Sequence, residues 1–253
     1  MVRGFYSAAA GVLSRQKSLN VISNNIANGS TAGYKSQSTI ESSFGHHLVA
    51  RMNTPQGKNS NNVGPGTFMT VNIDEYTNFS QGSLEQTGRP FDMAINGQGF
   101  FLIESENYGE VATRNGQFEL NERGELILPG VGRVLNQYRN PVRLESSNFT
   151  VDSQGVIYED GEETDTFFIA SERADEPFTT VGNGVYRWDG NYTRSDAENY
   201  GVIQGAIEKA NLNLAQEMSR IIANQSNYQS CTQILKIYDG INEITVNQIG
   251  RIG

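Results

Sequence analysis

Apolar residues recur at helical spacing at both ends of the chain and alternate with polar ones in the middle. At the N-terminus Phe5, Val12, Leu19 and Ile26 repeat every seven residues, while Ala8 and Ile22 occupy the interleaved position with Arg15 between them. This pattern predicts one amphipathic helix of roughly 39 Å from Arg3 to Asn28. Asn28-Gly29 is a pair suited to the left-handed conformation that closes a helix. Ser7-Ala8-Ala9-Ala10-Gly11 adds a face of small residues on which a second helix can lie closely. At the other end Asn213 followed by Gln216 forms an amide version of a capping box, with Glu217 in the first turn where the helix dipole favours an anion. Leu214, Met218, Ile221, Tyr228 and Leu235 then follow 3/4 spacing, and a second ridge of Ile234, Ile237, Ile241 and Ile244 takes over. Gly240 inside that segment costs about 1 kcal/mol relative to alanine, which predicts a bend or a tightly packed neighbour there.

All six prolines fall between Pro55 and Pro177, so the helix breaker spares both ends. Residues 29–90 are rich in Gly, Ser, Asn and Thr and are expected to form an extended, flexible connector; "NTPQGKNSNNVGPGT" (53–67) carries too little apolar content to fold alone. From about Phe91 the chain reads as strands and tight turns, with Asn96-Gly97, Asn115-Gly116, Glu122-Arg123-Gly124 and Asp160-Gly161 as turn signals. No helical periods intervene, which argues for antiparallel pairing and against a doubly wound parallel sheet. The expected fold is α+β. Terminal helices (1–28 and 204–253) pair as a coiled coil, and a β-rich domain spans 91–203.

Composition then narrows the function. The 253 residues, 37% of them hydrophobic, suffice for one large domain or two modest ones. The net charge of −9 is uneven: residues 1–54 carry +4, residues 206–253 balance, and the middle holds −13. Such an acidic body repels phosphate and argues against nucleic acid as a partner. No stretch approaches the roughly 20 apolar residues that span a bilayer, so no membrane insertion is expected. Arg3 before a short, broken apolar run resembles a signal peptide only superficially, and cleavage is not expected. Cys231 is the only cysteine and is expected to pack as a small hydrophobe within its helix.

Candidate chemistry is sparse. His46-His47 has no ligand spacing beside it, Asn96-Gly97-Gln98-Gly99 leads into a strand rather than a phosphate-binding helix, and the acids around Asp160 do not fit a calcium loop. Glu104, Glu106 and Glu110 lack any spacing that defines a glycosidase, and no nucleophile motif is present. No catalytic, metal or cofactor residue is therefore assigned. Two amphipathic helices leave apolar and small-residue faces that one antiparallel pair cannot hide, and neighbouring subunits can cover them. Patches joined head to tail without closing a ring build a filament or tube. In that setting Asn24 and Asn28, one turn apart beside the stripe, can fix register at a crowded junction; fraying and capping of the helix end is the alternative.

Four ordered segments then resemble one family, the bacterial flagellar rod and hook proteins. "GFYSAAAGVLSRQKSLNVISNNIANGSTAGYKS" is similar to the family's N-terminal signature through Asn24-Asn25-Ile26-Ala27-Asn28 and Gly33-Tyr34-Lys35, although Ala32-Gly33-Tyr34 departs from the commoner Pro-Gly-Phe form. "RPFDMAINGQGFFLIE" and "ATRNGQFELNERGELIL" resemble its β-domain segments, and residues 205–250 resemble its C-terminal helix. The resemblance implies a non-enzymatic subunit of the basal-body rod, exported by the flagellar type III apparatus and assembled with copies of itself and other rod or hook proteins. It implies that the subunits polymerise through their terminal helices into a shaft transmitting torque from motor to hook. The expected assembly interface comprises Phe5, Ala8, Val12, Leu19, Ile22, Asn24, Asn25, Ile26 and Asn28 with Leu214, Met218, Ile221, Tyr228, Leu235, Ile237, Ile241 and Ile244. The modest length favours a rod over a hook-type subunit, and a secreted glycan-binding β domain is a further alternative.

Overall fold

Freedom from proline lets each end of the chain run as one continuous helix, α1 over Val2–Ala27 and α2 over Leu214–Ile249. The computed structural model describes residues 2–43, 47–51, 61–66, 70–146, 148–171, 178–182, 184–188, 192–196 and 198–249. His46 and most of the 53–67 segment lie outside them. The cap of α2 forms as the sequence predicts. Asn213 Oδ1 accepts the N–H groups of Ala215 and Gln216 at 3.1 and 3.2 Å. Gly240 differs from expectation: it sits inside the unbroken helix, and a Cβ there would have no neighbour within 4 Å among the described residues. The close approaches fall instead at Gly4 and Gly11 of α1.

Closure of α1 also differs from expectation. Neither Asn28 nor Gly29 is left-handed; the chain instead turns through a Thr31 N–H to Asn28 carbonyl bond of 3.0 Å. The left-handed residue is Gly33, with φ +67°. A Cβ there would overlap the backbone of Arg114 and Asn115, so both conformation and space demand glycine.

The described β strands pair antiparallel throughout. An eight-stranded sheet is centred on Phe100–Ser105, which pairs with Gly109–Thr113 on one edge and with Gly132–Val134 and Ile169–Ala170 on the other. Alternation along its strands separates two cores. Phe101, Ile103, Val111 and Ile169 join one apolar cluster, and Phe100, Leu102, Ala112 and Ala170 the other. Asp160-Gly161 forms the expected tight hairpin between Val156–Glu159 and Glu162–Thr166, with φ +50° and +88°. Asn96-Gly97 does not make a hairpin, because Met93–Gly97 pairs with Tyr200–Gln204, more than a hundred residues later. Within the stretch read as a connector, Gln37–Ser43 pairs with Thr70–Thr77, and His47–Arg51 with Asn61–Gly66.

The protein is thus α+β with a mainly antiparallel β portion. It divides into two compact units: Met1–Ile26, Gln37–Asn78 and Asn213–Gly253 form the first, and Ala27–Ser36 with Phe79–Leu212 the second.

Candidate assembly interface

In the first unit α1 and α2 lie side by side and antiparallel. Tyr238 stands over Gly4, the Cys231 sulfur would lie 3.2 Å from a Cβ on Gly11, and Arg15 donates to Asn224 Oδ1 at 3.2 Å. Gly4 and Gly11 are seven residues apart, as are Tyr238 and Cys231, so two small residues seat two larger ones along the same seam. The residues of α1 buried most deeply are small or polar for the most part: Ala8, Ser14, Ser18, Val21, Ile22 and Asn25. Cys231 is half-buried against that seam, the role expected of it.

Asn25 closes the far end of the seam. It is only 1% exposed, and its amide brackets the backbone of Gln37, accepting its N–H at 2.9 Å and donating to its carbonyl at 2.7 Å. Its Nδ2 also donates to Glu217 Oε2 at 3.3 Å, while Arg220 holds the other oxygen of that carboxylate at 2.9 Å. One side chain therefore ties the end of α1, the start of a strand and the first turn of α2. Sequence reasoning singled out Asn24 and Asn28 for a junction role. Asn24 is exposed, and Asn28 accepts a hydrogen bond from the Thr31 hydroxyl at 3.3 Å within the turn.

The remaining interface candidates fall into two sets. Phe5, Val12, Leu19 and Ile26 on α1, and Ile221, Tyr228 and Leu235 on α2, are half-buried, whereas Ala8 and Ile22 are buried within the unit. Leu214, Met218, Ile237, Ile241 and Ile244 are exposed, the last four by 42 to 62%. Leu214, Met218 and Ile222 form one exposed ridge at the start of α2; Ile234, Ile237, Ile241 and Ile244 form another towards its end. Tyr6, Leu13, Ile222, Ile234 and Val246 are also exposed but are absent from the expected interface. Their common signal is an apolar residue beside the stripe rather than on it, which a one-face reading discards. Extending the register of the helix contacts sets Val2 level with about Gly240, so the last turns of α2 run past the end of α1.

In the second unit an open cleft of about 620 Å³ lies among Glu104, Glu106, Glu125 and Arg133. Two of its carboxylates are ion-paired: Arg133 pairs with Glu104 at 2.8 Å and Arg143 with Glu125 at 3.2 Å. Glu110 pairs with Arg139 at 3.1 Å. Among the described residues no helix is long and apolar enough to cross a membrane, and no group of three potential metal ligands gathers.

Three family models match the chain in order along its length. Residues 5–35 match the flagella basal body rod protein family, residues 94–159 the D1 domain of the flagellar hook protein FlgE/F/G family, and residues 203–249 the C-terminal region of the flagellar basal body rod FlgEFG proteins. The chain is 29% identical to the flagellar basal-body rod protein FlgG of Bacillus subtilis, over 98% of this chain and 99% of the relative. It is 25% identical to the rod protein FlgF of Caulobacter vibrioides over 100% and 99%, respectively. The flagellar hook-basal body complex protein FlhO of Bacillus subtilis is 25% identical over the full length of both. The chain belongs to the flagellar basal-body rod protein family, a structural family, and is a subunit of the basal body of the bacterial flagellum.

Proposed function

We propose that this rod subunit joins the axial structure through α1 and α2, which pair with the helices of adjoining subunits as a coiled coil, while the β-rich residues 91–203 clothe the shaft. The observation that carries this reading is the ridge of Ile237, Ile241 and Ile244, each 42 to 62% exposed on a helix that outruns its partner. Burying a side chain of that size is worth about 1.5–3 kcal/mol, so two such ridges per subunit supply a strong drive to associate. Neighbours are copies of this chain and other rod or hook proteins, and the shaft they build transmits torque from motor to hook. The chain reaches its place through the flagellar type III export apparatus. Full-length similarity to rod proteins favours this reading over a hook-type subunit or a glycan-binding β domain. Deleting residues 1–28 tests it. Rod assembly and motility are expected to be lost, and a deletion strain that swims normally defeats the proposal.

A further inference from the structure

Distant parts of the second unit meet at one buried carboxylate. Glu208 is 1% exposed; its Oε1 accepts from Lys35 Nζ at 2.6 Å and from the Gly82 N–H at 2.8 Å, and its Oε2 from Arg114 Nη1 at 3.1 Å. The Lys35 ammonium also reaches the Ser80 carbonyl at 2.9 Å, and the Arg114 guanidinium the carbonyls of Ile95 and Gly97 at 3.2 and 2.6 Å. Backbone bonds surround this centre. The N–H of Gly33 donates to the Glu208 carbonyl at 2.7 Å, Lys209 to Ser83 at 2.9 Å, Asn211 to Tyr34 at 3.3 Å, and Thr87 and Gly88 to Gly205 at 2.8 and 3.0 Å.

Buried ions are a poor source of net stability, because desolvation offsets their attraction; what three directed donors add is a single permitted register. The neighbouring ladder needs that help. Ala206–Glu208 pairs with Leu84–Gln86 over three residues, and all three of the latter are exposed, so apolar burial does little to fix the pairing.

We propose that Glu208 is a conformational latch, joining residues 31–36, 79–88 and 204–211 into one cooperative element that opens and closes independently of the large sheet. Lys35 precedes Glu208 by 173 residues and Arg114 precedes it by 94, so a chain made from its N-terminus cannot close the latch until its last quarter is available. The inference concerns opening within the subunit and does not depend on how the rod is assembled.

Native-state hydrogen exchange of the full chain in low guanidinium tests the latch, in wild type, Glu208→Gln and Lys35→Met. In wild type the amides of Gly33, Thr87, Gly88, Lys209 and Asn211 are expected to share one opening free energy and one denaturant dependence, both below those of Leu102 and Ala112. Each substitution is expected to speed exchange of all five by at least tenfold and that of the two sheet amides by less than twofold. Unrelated rates among the five in wild type would overturn the proposal, even if neither variant folds. Acceleration confined to Gly33 would overturn it too, as would equal acceleration in the sheet.

Discussion

Asn25 shows how one buried amide can organise a junction of three elements. Its side chain is buried and makes three hydrogen bonds, so Asn25→Ala is expected to cost about 1–3 kcal/mol by urea denaturation. A helical period placed three asparagines at the end of α1 but carried no information about which of them would meet a strand beginning at Gln37; that is set by the turn between them. Gly33 was legible only as part of a family signature. Its necessity comes from a positive φ and from backbone contributed eighty residues later, and Gly33→Ala is expected to destabilise by more than about 1 kcal/mol in the same assay. At Glu125 the Asn121 amide, opposed by desolvation and assisted by Arg143, holds the carboxyl below its ordinary value. That contribution is present above the unfolded value and is lost as pH falls through the folded one. Glu125→Gln is therefore expected to lose less stability than wild type between pH 7 and pH 3, measured as the shift in urea midpoint.

At the scale of elements, the helices were the most legible part of the chain. Their 3/4 spacing and the Asn213 cap are local properties, and α2 begins where they say. Hairpins were legible where both strands were adjacent in sequence, as at Asp160-Gly161. Asn96-Gly97 carries the same signal, but its strand finds a partner at Tyr200–Gln204, a long-range pairing that no dipeptide encodes. The same limit explains the glycines of the helices. A glycine's cost in propensity is local, whereas the neighbour that requires it is not: Gly11 faces Cys231, while a Cβ at Gly240 would meet nothing within 4 Å among the described residues. Gly240→Ala is accordingly expected to stabilise the isolated subunit by about 1 kcal/mol in thermal or urea unfolding. A fall in stability would mean that the helix bends or packs closely at that point in solution.

The whole molecule places much of its uncovered apolar surface on helices rather than on the β sheets. Ile237 and Ile244 are each more than half exposed, so Ile237→Asp with Ile244→Asp is expected to leave subunit stability within about 1 kcal/mol of wild type while abolishing rod assembly. The sequence displayed these residues as a ridge; only the register of α1 against α2 shows that the ridge runs beyond its partner. Electron cryomicroscopy of isolated basal bodies containing this chain tests the claim most directly. The account predicts that Ile237, Ile241 and Ile244 pack within about 4.5 Å of helices from adjoining subunits. Density showing those three side chains facing solvent in the assembled rod would contradict it.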